Sequence, residues 1–171
     1  MPWEYLQTKE LDKRFIKVAE LVDFKNKHIV DLNGGSCRLR LYIDGFTSYT
    51  ANDIYPSYAP DDSKINFHCE DDSMFADRVE RADIVCLFGH GAGDYLASPY
   101  ESPTLSESLV RIVKKTMPET VVIEASKKYE DTFGMLEDLK RELFVYDTGI
   151  KHELSGDGEY GDRVLYILRL K

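Results

Sequence analysis

The sequence predicts an α/β fold, a three-layer α/β/α sandwich built on a mainly parallel sheet and ending in an antiparallel hairpin. Three observations carry that reading. Short apolar runs alternate with segments of helical periodicity along most of the 171 residues, and parallel strands need crossover connections that cover both faces of their sheet. The rhythm breaks near the end, where two strand-like runs follow one another across a glycine-containing connection. The first apolar run also stops at paired glycines, the usual way for a buried strand to turn sharply into its crossover.

Leu11, Phe15, Val18 and Val22 recur at helical spacing behind a Thr8 cap, predicting an amphipathic helix over about residues 8–24. His28-Ile-Val-Asp-Leu32 reads as a buried strand bounded by Asn33-Gly-Gly-Ser36. Leu39, Tyr42 and Ile43 then share a helical face that ends at Gly45, a candidate left-handed C-terminal residue. Further strand-like runs cover 49–54, 65–69, 83–88 and 120–124. Thr104-Leu-Ser-Glu107 has the form of a capping box, with Leu105, Leu109, Ile112 and Thr116 on one face of the helix behind it. A helix over about 132–142 precedes the terminal runs 143–149 and 163–170, joined by 151–162. No internal repeat, low-complexity tract or linker interrupts the order, so residues 1–171 read as one domain.

Composition narrows the function classes. At 43% hydrophobic and 31% charged residues the chain reads as a soluble globular protein. Its net charge of −9, with Lys and Arg dispersed, offers no stripe for neutralising phosphates and makes nucleic acid an unlikely partner. No apolar run spans a bilayer, and the first ten residues lack a signal pattern, so the cytoplasm is the expected location. Cys37, Cys69 and Cys86 match neither zinc spacing nor a disulfide framework and read as reduced thiols, two of them within strands. No metal site is expected.

The turns after the first three strands carry the chemistry, because ligands of open parallel sheets bind outside the strands' carboxyl ends. In Asp31-Leu-Asn-Gly-Gly-Ser-Cys37, small residues let the backbone approach a ligand, and the start of the next element offers unsatisfied N–H groups. Asp53 stands a little under the roughly 20-residue interval beyond Gly35 at which an acid grips ribose hydroxyls. Glu70-Asp71-Asp72-Ser73 supplies a carboxylate suited to an adenine amino group.

In these residues the sequence resembles the Rossmann-fold, or class I, S-adenosylmethionine-dependent methyltransferase superfamily, from His28 to Leu170. Residues 29–37 look like its first motif, Asp53 like its ribose acid, Asp71 like its adenine-side acid, and Ala82-Asp-Ile-Val-Cys-Leu-Phe88 like its fourth strand. The resemblance implies a Rossmann-like sheet of seven strands with the last antiparallel, and S-adenosylmethionine as cofactor. It implies contact through Asn33, Gly34, Gly35, Ser36, Asp53, Ile54, Asp71, Asp72, Phe88 and Gly89, with Asp31 supporting the loop. Asn33 replaces the first glycine of the motif and Cys37 the third, leaving Gly35 at its centre.

Plainer roles stand beside each residue. A small-residue turn is common in α/β proteins, Asp53 would also suit a helix cap, and acids before a helix complement its dipole. The loop after the fourth strand, Gly89-His-Gly-Ala-Gly-Asp94, carries His90, either a general base with an imidazole titrating near neutrality or a solvated loop side chain. Tyr55, Tyr58, Tyr95 and Tyr100 would wall a substrate pocket or simply pack their loops. His28 and His68 read as structural. Neither an Asn-Pro-Pro-Tyr motif nor a Pro-Cys nucleophile marks base methylation of nucleic acid, so the acceptor is expected to be a small molecule or a protein. Two other functions remain open. One is a non-catalytic interaction module that keeps the fold, suggested by Asn33 and Cys37; the other is an NAD-binding oxidoreductase, opposed by the broken glycine fingerprint and the hairpin ending.

Overall fold

The computed structural model describes residues 9–90, 102–126, 146–154 and 163–171. Seven strands form one sheet: β1 (His28–Leu32), β2 (Ser48–Asn52), β3 (Ile65–His68), β4 (Ile84–His90), β5 (Thr120–Ser126), β6 (Tyr146–Leu154) and β7 (Arg163–Leu170). Their order is β3-β2-β1-β4-β5-β7-β6. β1 pairs in parallel with β2 and β4, β2 with β3, and β4 with β5. β7 runs antiparallel to both β5 and β6. Sequence order reverses between β1 and β4, so the crevice for a ligand opens at the carboxyl ends of these two strands.

Among the described residues, three α-helices cover the sheet. α1 (Lys9–Leu21) lies on one face, and α2 (Asp72–Arg78) and α3 (Ser102–Thr116) lie on the other. Alternation along each strand divides the core. Val30, Leu32, Val85, Leu87, Val121 and Ile123 pack with Phe75, Leu109 and Ile112 of α2 and α3. Ile29, Tyr49, Ile84, Cys86 and Val122 point the other way and pack with Phe15 and Val18 of α1. The periodic face predicted for the first helix is buried at Phe15, Val18 and Val22, the Leu11 side chain lying outside the described residues, as is that of α3 at Leu109 and Ile112.

Several boundaries depart from the sequence reading. No α-helix crosses from β1 to β2: one 3₁₀ turn, Arg38–Leu41, stands between two left-handed residues, Cys37 and Gly45. Leu39, Tyr42 and Ile43 still reach the core, so their spacing reported burial without helix. α3 begins at Ser102, placing Thr104 inside its first turn instead of at the cap. β4 carries on through Gly89 and His90, with a register shift against β5 between Leu87 and His90, so these two residues belong to the strand and not to the loop after it. β6 takes in residues 150–154, expected partly in the connection. Cys86 alone of the cysteines is in a strand; Cys69 follows β3 and Cys37 lies in the first turn, and all three are free thiols. Thr8, Tyr95, Tyr100, Gly91 to Asp94 and the helix expected over 132–142 lie outside the described residues.

Candidate functional site

The turn after β1 has an unusual backbone. Asn33, Gly35 and Cys37 all take left-handed conformations, with φ of 60°, 52° and 54°. Left-handed residues at alternate positions turn successive peptide groups toward one concavity, the arrangement that cradles anionic or polar ligands. Only glycine adopts this conformation without strain, and asparagine is the side chain that tolerates it best. The two departures from the glycine motif therefore change side chains at positions whose backbone remains glycine-like. Neighbouring strands hold the loop: Gly34 N–H donates to Asn52 C=O at 2.9 Å, and Gly35 N–H donates to Asp53 Oδ2 at 3.0 Å. A Cβ on Gly34 would sit 3.1 Å from Asp31 Cγ and 3.3 Å from Ala51 Cβ, so a side chain here would require those neighbours to give way slightly. At Gly35 the same construction meets nothing within 4 Å, leaving that side of the loop open.

Beneath the loop, Asp31 is buried on the α1 face and its Oδ2 accepts a hydrogen bond from the Tyr49 hydroxyl. Its other oxygen, Oδ1, is buried without a partner, a condition that costs on the order of 1–3 kcal/mol. Burial pushes the Asp31 carboxyl up to about 7, against the opposing pull of the Tyr49 hydrogen bond and the Arg14 charge. Tyr49 was not singled out from sequence, because a tyrosine opening an apolar run reads as core.

The second and third turns are joined to the first and to each other. Asp53 is only 4% exposed. Besides Gly35, its carboxylate accepts the Tyr55 N–H at 3.1 Å. Burial raises its pKa while these backbone donors lower it. Each carboxylate oxygen can accept more than one hydrogen bond, so acceptor capacity remains. Asn52 Nδ2 donates to Glu70 C=O at 3.0 Å and to Asp72 Oδ1 at 2.9 Å, fixing the third turn to the end of β2. Burial lifts the Asp72 carboxyl to about 6, with Asn52 opposing and the Asp71 and Asp53 charges adding to the rise. Asp71 is exposed and caps α2, accepting from the backbone N–H and hydroxyl of Ser73, which hold its pKa below the usual range. Its helix-cap role is therefore real. Ile54 and Met74, each about half exposed, offer apolar surface on the second turn and at the start of α2.

The remaining candidates fall elsewhere. Phe88 is buried and meets Phe15 of α1 edge to face at 5.0 Å, a core position and not a loop surface. Gly89 and His90 end β4, and their side chains lie outside the described residues. Ser36 is half-buried in the first turn. Tyr55 and Tyr58 pack edge to face at 5.6 Å beyond Asp53. Burial pushes the Cys37 thiol far above its ordinary range, which leaves it a packing residue. His28 Nδ1 lies 2.8 Å from Ser48 Oγ, and His68 Nδ1 lies 3.4 Å from Glu70, so both serve local structure.

The carboxyl end of the α1 face also holds two ionic groups that the sequence did not reveal. Asp12 of α1 accepts from the Arg38 guanidinium and from the Tyr42 hydroxyl; burial raises its pKa, but these donors and the Arg38 charge outweigh burial and lower it. Glu124, fully buried near the end of β5, is bonded by Arg14 Nη1 at 3.0 Å and by Arg163 Nε. The available signal was a charged residue at the end of each of two apolar runs, Glu124 and Arg163.

No family model and no curated protein sequence matches the chain. Solved structures do. The magnesium protoporphyrin IX methyltransferase ChlM of Synechocystis PCC 6803, with bound SAM, superposes with a TM-score of 0.68 at 10% identity, over 95% of this chain and 80% of that one. The N-methyltransferase NodS of Bradyrhizobium japonicum WM9 gives 0.66 at 12% identity, over 96% and 98%. TrmK of M. capricolum, in complex with S-adenosyl-homocysteine, gives 0.63 at 14% identity, over 92% and 68%. The chain has the Rossmann-like methyltransferase fold. Some other proteins of the methyltransferase fold are much longer, and this chain covers 49% and 48% of two of them. The strand order, with β7 antiparallel between β5 and β6, agrees with that assignment. Among the described residues, no helix is long and apolar enough to cross a membrane.

Proposed function

We propose that this chain is a single-domain S-adenosylmethionine-dependent methyltransferase of the cytoplasm that acts on a small-molecule or protein acceptor. The observation that carries the reading is the turn after β1, left-handed at all three motif positions and open beside Gly35. The buried, unpartnered Asp31 Oδ1 below it fits a ligand bearing hydrogen-bond donors at this turn. The Gly34 to Ser36 backbone would hold the amino-acid end of the cofactor, Asp53 its ribose hydroxyls, and Ile54, Asp71 and Asp72 the adenine side. The bound sulfonium supplies an already activated methyl group. The protein's own work is then to fix the loop through Asp53 and Asn52, to keep water from the buried carboxyl of Asp31, and to orient the acceptor. His90, at the carboxyl end of β4, is the side chain we assign to take a proton from an acceptor that must lose one.

Calorimetric titration with S-adenosylmethionine and S-adenosylhomocysteine, with NAD as comparator and Asp53→Ala as control, tests the site. Saturable adenosyl-ligand binding, weakened at least tenfold in a folded Asp53→Ala protein, is the expected result. A folded wild-type protein that binds neither ligand would be an interaction module instead, and preferential binding of NAD would return the oxidoreductase reading.

A further inference from the structure

We infer that the buried cluster of Arg14, Glu124 and Arg163 is a binding site for a carboxylate group of the methyl acceptor. The inference rests on the methyltransferase reading and deepens it. Arg14 and Arg163 bond opposite oxygens of Glu124, through Nη1 and Nε respectively. Both arginines are at least nine-tenths buried. Each keeps a buried N–H group without an acceptor, Arg14 Nε and Arg163 Nη2. Buried guanidinium groups ordinarily have their donors satisfied. Two such orphaned donors, on arginines that share one carboxylate, call for a second acceptor.

Charge defines the class of that acceptor. Within a chain of net charge −9, these three side chains leave one positive charge unmatched among themselves. Among the described acids that feel the Arg14 charge, Asp12 is bonded by Arg38 and Tyr42, and Asp31 is bonded by Tyr49 through Oδ2. A monoanion neutralises the excess, whereas a phosphate dianion would bury a new unpaired negative charge. The planar guanidinium fork also matches a carboxylate in geometry.

Position assigns the carboxylate to the acceptor and not to the cofactor. Glu124 is near the end of β5 and Arg163 pairs with Ser126 at the start of β7, so the cluster stands at the carboxyl edge of the sheet. Arg14 reaches it from α1, beside the contact of Phe15 with Phe88 of β4. The adenosyl turns follow β1, β2 and β3, on the other side of β4. At about 4.8 Å per strand, β5 is roughly 10 Å from β1. A group held there faces the cofactor site across β4, where an acceptor must stand.

The test uses the full-length, ¹⁵N-labelled protein loaded with S-adenosylhomocysteine and titrated with acetate and benzoate at constant ionic strength. The side-chain Nε–H signals of Arg14 and Arg163 are read. A saturable shift of the Arg14 signal is expected, with carboxylate affinity falling at least tenfold in Arg163→Met and S-adenosylhomocysteine affinity changing less than twofold. If Arg163→Met does not fold, Arg163→Lys, which keeps the charge and loses the fork, is expected to show the same weakening. Absence of a saturable shift overturns the proposal, as does a preference for inorganic phosphate. An equal loss of S-adenosylhomocysteine affinity overturns it too, by giving the arginines to the cofactor. Failure to bind S-adenosylhomocysteine at all appears before any carboxylate is added, and would sink the underlying reading separately.

Discussion

The two faces of the sheet are made differently. Under α2 and α3 the core is a continuous set of Val, Leu, Ile, Phe, Ala and Tyr side chains, with Asn52 and Ser108 as buried polar residues. Under α1 the same strands bury Asp12, Arg14, Asp31, Glu124 and Arg163, all toward the carboxyl ends of the strands. A face of hydrocarbon needs only shape, whereas a face with buried charges must satisfy each of them. The α2/α3 face thus holds the sheet together, and the α1 face carries the groups with chemistry.

Breaking that contrast should have graded effects. Glu124→Ala leaves two buried guanidinium groups without their shared carboxylate and is expected to cost about 3–5 kcal/mol by denaturant unfolding. Leu109→Ala on the other face is expected to cost about 2–5 kcal/mol through its cavity, with S-adenosylhomocysteine affinity unchanged in the protein that remains folded. A loss of affinity in Leu109→Ala would mean that the faces are not separable. Asp31→Asn probes the α1 face by pH. Because burial raises the folded carboxyl to about 7, wild-type folding binds a proton that the unfolded chain releases. Wild-type stability must then fall relative to Asp31→Asn between about pH 4 and 7 and run parallel above that range. A difference constant from pH 4 to 8 would contradict the buried acid. The smallest effect is expected at the exposed Asn33, where Asn33→Gly relieves a left-handed side chain and should stabilise by roughly 0.5–1 kcal/mol. Destabilisation there would show that the Asn33 side chain contributes more than its backbone strain costs.

Much of this was legible in the sequence. The strand runs, the amphipathic face at Phe15, Val18 and Val22, and the closing hairpin all rest on local periodicity, and they appear in the structure within a few residues of their expected bounds. The segment after Cys37 did not, because three apolar residues at helical spacing can be buried equally well by a 3₁₀ turn held between left-handed residues. Asn33 and Cys37 looked like damage to a glycine motif, since backbone conformation is not written in residue type alone. The Glu124 cluster was invisible for a different reason. Its members lie 110 and 39 residues apart, and no local pattern connects them.

Strand order also constrains how the protein is made. β7 is the last strand in sequence, yet it lies between β5 and β6 and not at the rim. During synthesis β6 has no neighbour to pair with until residues 163–170 have emerged, so the right-hand half of the sheet must zip together late and through distant contacts. The same docking brings Arg163 to Glu124, so the second guanidinium on this buried acid, beside that of Arg14, arrives only with β7. A nascent chain stalled before Arg163 would leave the pairing edges of β5 and β6 open and Glu124 without one of its guanidinium partners.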